Sequence, residues 1–101
     1  MKIKLTRLIL TIFLVSTVYA AEYKGKNIDG IEFDCSAYSY DTGNWYYVTV
    51  EFDGDEAIIY FNNGGYITLT LENEVIDDPS AIDVYDYDKG VFWELDVDGL
   101  D

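Results

Sequence analysis

Apolar and polar residues alternate with a period of two through most of this chain, and that alternation restricts the fold more than any other feature. Tyr46, Val48, Val50 and Phe52 alternate with Tyr47, Thr49 and Glu51. Ile67, Leu69 and Leu71 alternate with Thr68, Thr70 and Glu72, and Val91, Trp93, Leu95 and Val97 with Phe92, Glu94, Asp96 and Asp98. Successive side chains of a strand point to opposite faces, so each run has one apolar and one polar side. That is the pattern of half-buried antiparallel strands. No stretch carries a helical stripe, although residues 73–82 have room for one short turn.

Turn chemistry divides the strands. Asp41-Thr42-Gly43 separates 31–39 from 44–53, and Asp53-Gly54-Asp55 separates that strand from 56–61. Asn62-Asn63-Gly64-Gly65 leads into 66–72, and Asp88-Lys89-Gly90 joins 81–87 to 91–97. Gly and Asn tolerate the positive φ that tight hairpins need. Pro79 marks a longer connection, where its missing N–H costs no ladder bond. The expected fold is therefore all-β, a small antiparallel β-barrel or sandwich built of consecutive hairpins, with its sheet edges hidden. Tyr38-Ser39-Tyr40-Asp41-Thr42-Gly43 also resembles Tyr85-Asp86-Tyr87-Asp88-Lys89-Gly90. Duplication of a hairpin and convergence on one good turn both account for the echo.

Charge is distributed unevenly along the chain. Lys2, Lys4 and Arg7 precede an apolar run from Leu8 to Val15, and Val18-Tyr19-Ala20 offers small residues at a cleavage site. This reads as a removable export signal over residues 1–20, leaving a single β domain over residues 21–101. The apolar run is shorter than the roughly 20 residues a bilayer span needs. The expected location is periplasmic or secreted, with no membrane span after signal cleavage. Loss of the three early cations takes the net charge from −14 to −17, with Lys24, Lys26 and Lys89 the remaining cations. A surface so negative selects basic partners and repels nucleic acid. Cys35 is the sole cysteine, so no disulfide can form within the chain. The strand pattern around it predicts a buried small residue. The alternative is a thiol that pairs between chains.

The stock of catalytic parts is small. Without histidine there is no Ser-His-Asp or Cys-His site, and no Gly-rich loop opens a helix. Carboxylates are plentiful but stand in turns and on polar strand faces, where solvated charge is the default. The chain is read as a non-enzyme with no cofactor and no assigned metal ligand. Asp96-Val97-Asp98-Gly99 and Asp53-Gly54-Asp55-Glu56 leave a calcium-stabilised domain as one alternative, since calcium takes hard oxygen ligands.

The order of segments resembles the exported inhibitors of C-type lysozyme, the MliC/PliC family. Phe33-Asp34-Cys35 matches the family's opening, and Val48-Thr49-Val50-Glu51-Phe52-Asp53 with Ala57-Ile58-Ile59-Tyr60 matches its strand pair. Gly65 and Ile67-Thr68-Leu69 match the next strand. Pro79-Ser80-Ala81 then leads to Tyr85, and Val91-Phe92-Trp93 follows. The resemblance spans residues 33–97. It implies a small antiparallel barrel that occludes the cleft of a basic lysozyme, with residues 79–93 as the contact region. Ser80, Tyr85 and Lys89 are the polar contacts it suggests, and Trp93 a core residue. The family's Ser-Gly before its Tyr and Lys-Gly after its Trp are replaced near these places by Ile82-Asp83 and Glu94-Leu95. That departure keeps open a structural or adhesion module of the cell envelope with another basic partner.

Overall fold

The computed structural model describes residues 20–100. The export-signal reading thus falls almost wholly outside the described residues. Nine strands follow in order, namely β1 (Glu22–Tyr23), β2 (Lys26–Asn27), β3 (Glu32–Ser39), β4 (Trp45–Asp53), β5 (Glu56–Tyr60), β6 (Tyr66–Leu71), β7 (Val75–Ile76), β8 (Ile82–Asp86) and β9 (Val91–Val97). Six of them close into an antiparallel barrel in the order β3-β4-β5-β6-β8-β9, with β9 returning to pair with β3. The choice between barrel and sandwich is settled for the barrel. The six strands expected from alternation agree with it to within one residue at either end.

Register carries the alternation into a core. β3 and β4 pair from Glu32↔Glu51 to Tyr38↔Trp45, and β3 and β9 from Cys35↔Val97 to Ser39↔Trp93. Inward positions then converge from every strand. Ala37, Val50, Phe52, Ala57, Ile59, Leu69, Val84 and Leu95 are all fully buried. Phe52 is the largest of them, and its ring lies 6.1 Å from that of Phe33. The small residue Ala57 is its cross-strand partner and makes room for it in a narrow six-stranded interior. Cys35 joins this face, buried at 3 % exposure, which agrees with the buried reading of the thiol.

A second sheet, β2-β1-β7, accompanies the barrel. The β1–β2 hairpin turns through Lys24 (φ 51°) and Gly25 (φ 79°). Two successive positive φ values match strand twist across a two-residue loop. Ala21, Tyr23, Ile28 and Ile76 from this sheet and its flanks belong to the same buried cluster as the barrel interior. Asp29 ties it to the barrel. Its Oδ1 accepts from the Ala21 N–H and the Gly54 N–H, each at 3.0 Å. The segment 73–82, which has room for one short turn, holds β7 and a β-turn over 78–81, closed by Ala81 N–H to the Asp78 carbonyl at 3.1 Å. The reason is local competition for donors. Asn73 Oδ1 captures the Val75 N–H and Asp78 Oδ1 captures the Ser80 N–H, which favours turns over helix.

Phe52→Ala removes the largest buried ring and is expected to cost about 3–5 kcal/mol, read as a lowered urea midpoint. Burial, together with the neighbouring charges of Asp96 and Asp98, pushes the Cys35 thiol up from 9.0 to about 12. The folded protein therefore holds this proton where the unfolded chain has lost it. Stability from this site is complete below pH 9.0 and falls as pH rises toward about 12. Iodoacetamide should leave the native thiol unmodified at neutral pH and alkylate it in denaturant. Comparing urea midpoints of the native chain and Cys35→Ala above pH 9.0 isolates the alkaline loss.

Candidate functional site

The hairpin turns after β3 and β8 stand beside the β5–β6 turn at one end of the barrel. Ser39 and Asp86 end their strands pointing inward and are buried, at 2 % and 5 % exposure. Both stay polar because each caps its own turn. Ser39 Oγ accepts from the N–H groups of Asp41 and Thr42, each at 3.2 Å. Asp86 Oδ1 accepts from those of Asp88 and Lys89 at 3.0 and 3.2 Å. The next turn bonds match as well, Gly43 N–H to the Ser39 carbonyl and Gly90 N–H to the Asp86 carbonyl. Gly43 and Gly90 have φ of +73° and +71°, a conformation that L side chains rarely adopt.

The echo in the sequence is thus a repeat of three-dimensional structure, and it extends to the rings outside. Tyr38 meets Tyr40 edge-on at 5.0 Å and Trp45 at 5.1 Å. Tyr85 meets Tyr87 edge-on at 4.6 Å and Phe92 at 4.6 Å. In each hairpin the first and third rings are direct cross-strand partners, Tyr38↔Trp45 and Tyr85↔Phe92. The edge-on pairs, Tyr38–Tyr40 and Tyr85–Tyr87, each add about 0.5–1.5 kcal/mol beyond burial.

Between these turns the barrel mouth opens on a cavity of about 290 Å3. Tyr46, Phe61, Ile67 and Trp93 form its apolar lining, and Ser39, Asp86 and Lys89 contribute polar groups. The Trp93 ring lies 5.8 Å from Tyr46. Its Nε1–H is buried and has no acceptor among the described residues. Trp93 therefore packs against the core, as expected, but at its open end.

The outer wall carries a second recess. Tyr40, Glu72, Asp83, Phe92 and Trp93 line an open groove of about 490 Å3 where β3, β9 and β8 run side by side. Tyr40 and Phe92 are both more than half exposed, at 58 % and 52 %. Their backbones are linked by Tyr40 N–H to the Phe92 carbonyl at 3.1 Å, so the two ring clusters abut. Asp83 and Glu94 are direct cross-strand partners on this outer face. Like charges in that position repel. The charge of Glu94, then partial burial and the charge of Asp83, raise the Tyr40 hydroxyl above its ordinary pKa. Both carboxylates therefore act on one phenol.

Of the residues suggested for binding, Tyr85 lies in the second ring cluster and Lys89 in the turn beside the mouth. Ser80 stands before β8, at the opposite end of that strand from Lys89. Its hydroxyl donates to Asp78 Oδ1 at 2.7 Å, and this bond with the Ser80 N–H holds the Asp78 carboxyl below its ordinary pKa. The structure thus brings Tyr85 and Lys89 to one region and leaves Ser80 apart. Tyr40, Asp83, Phe92 and Glu94 are not among the binding residues expected from the sequence. The signal for Phe92 and Glu94 was present, since both fall on the polar phase of their strand. Among the described residues, no group of three or more Cys, Asp or Glu side chains is placed to hold a metal ion. Comparison of the chain with protein-family models, curated proteins and solved structures found no match.

The two turn caps should differ in weight. Asp86→Ala strands two N–H groups and loses a charge-assisted acceptor, for an expected cost of about 1.5–3 kcal/mol, against about 1 kcal/mol for Ser39→Ala. Asp86→Asn keeps an acceptor and should restore most of the loss in urea unfolding.

Proposed function

We propose that the protein is an exported binding domain, periplasmic or secreted, whose partner is a basic protein, and that a C-type lysozyme is the first partner to test. The observation that carries this reading is the set of exposed rings on an acidic barrel. Trp45, Tyr47, Tyr66, Tyr87 and Phe92 are all more than half exposed. Exposed aromatic clusters of this size are uncommon on a surface that meets only water, and Tyr and Trp are favoured at protein interfaces. The net charge steers basic partners toward such rings. The closed antiparallel barrel is also the fold that the resemblance to the lysozyme inhibitors implies. Tyr85 and Lys89 lie near the exposed rings, and binding by surface complementarity needs no catalytic group.

The repeated ring clusters also favour a second reading, a structural or adhesion module that meets another basic envelope protein. Neither reading assigns a cofactor.

Protein expressed from the full chain should inhibit cell-wall hydrolysis by a C-type lysozyme at stoichiometric amounts. Inhibition should weaken as salt rises toward 1 M, where the screening length is about 3 Å. Unchanged hydrolysis in low salt at a large excess of the protein would reject lysozyme as the partner. A different basic protein recovered from envelope extracts would then identify the second reading.

A further inference from the structure

We propose that the outer groove between Tyr40 and Phe92 is a receptor for an arginine side chain of the basic partner. This rests on the binding-domain reading above and adds the place and chemistry of recognition. Three features of the groove converge on a guanidinium. Two exposed rings, Tyr40 and Phe92, line the groove, and an aromatic ring can attract a cation. Two carboxylates, Glu72 and Asp83, line the same recess, and Glu94 stands beside it as the cross-strand partner of Asp83, its charge acting on Tyr40. A cation between Asp83 and Glu94 converts their repulsion into two attractive contacts.

Arginine fits better than lysine for geometric reasons. Its planar fork stacks on a ring while donating to two carboxylates at once, and it is more weakly hydrated than an ammonium. The groove, about 490 Å3 and open to solvent, leaves room for a long side chain to enter. The remaining lysines of the chain do not line the groove. Lys24 and Lys26 belong to the β1–β2 hairpin, where the Lys24 ammonium stands 5.2 Å from the Tyr23 ring centroid. Lys89 faces the barrel mouth.

Opposed acids also occur at Glu32↔Glu51 and Asp53↔Glu56. Glu51 accepts from the Tyr60 hydroxyl at 3.2 Å, so that pair has a donor within the chain. Asp53 and Glu56 flank a turn, away from both ring clusters. The Asp53 pair supplies a charge-matched control.

The test is titration of isotope-labelled protein, expressed from the full chain, with an acetylated and amidated tetra-arginine peptide followed by NMR. Amide shifts should concentrate at Tyr40, Asp83 and Phe92 to Glu94. Asp83→Asn should weaken binding about tenfold, whereas Asp53→Asn, with the same change in net charge, should leave it within about twofold. Phe92→Leu keeps an apolar side chain at an exposed site and should also weaken binding, which guards against a fold defect in the charge variant. Equal weakening by Asp83→Asn and Asp53→Asn would overturn the proposal, as would equal affinity for tetra-lysine. Failure to inhibit lysozyme while the peptide still binds the groove would reject lysozyme and keep this site. Inhibition untouched by Asp83→Asn and Phe92→Leu would keep the binding function and reject this site.

Discussion

Pairing of β9 with β3 is the interaction on which the rest of the molecule depends. It joins the last barrel strand to the first, from Cys35↔Val97 to Ser39↔Trp93. Without it the six strands would form an open sheet with two free edges, and the inward side chains would face water along one side. With it, Val50, Phe52, Ile59, Leu69, Val84 and Leu95 share one interior. A short chain without disulfides has little other means of excluding water from its core. Closure also sets β3 and β8 on either side of β9, and thereby brings the two ring-bearing hairpins together.

Those hairpins show how one local solution serves two purposes. The inward residue at the end of each strand, Ser39 or Asp86, holds a tight turn by accepting backbone donors. Holding the turn in place sends the flanking tyrosines outward, where they pack edge-on against each other and tilted against the facing strand's ring. The turns are thus stabilised from inside, and the outer rings remain exposed. Acidic residues that would crowd a neutral protein's surface become, between such rings, a site of cation attraction.

Much of the fold was legible from particular residues. Alternation at 46–52, 67–71 and 91–97 named the inward faces correctly, because a side chain's direction in a strand follows from sequence parity alone. Asp-x-Gly at 41–43 and 88–90 located the turns because only certain residues accept positive φ. The two-residue strands β1, β2 and β7 were not legible. A strand of that length has too few residues to show a period, and β1 pairs with β7 across some fifty positions of sequence. The groove was hidden for a related reason. Tyr40, Glu72, Asp83 and Phe92 come from separate parts of the chain, and no spacing announces them.

By itself, then, the sequence determined the strand phases, the turns, the acidity and the hairpin echo, all of which arise from interactions among near neighbours. Only the tertiary structure decided that the sheet closes, that the paired hairpins adjoin, and that Asp83 opposes Glu94 beside two exposed rings. Those outcomes depend on strand order and on register between distant segments. They are fixed by which packing buries the apolar faces together, and local propensity carries no record of that choice.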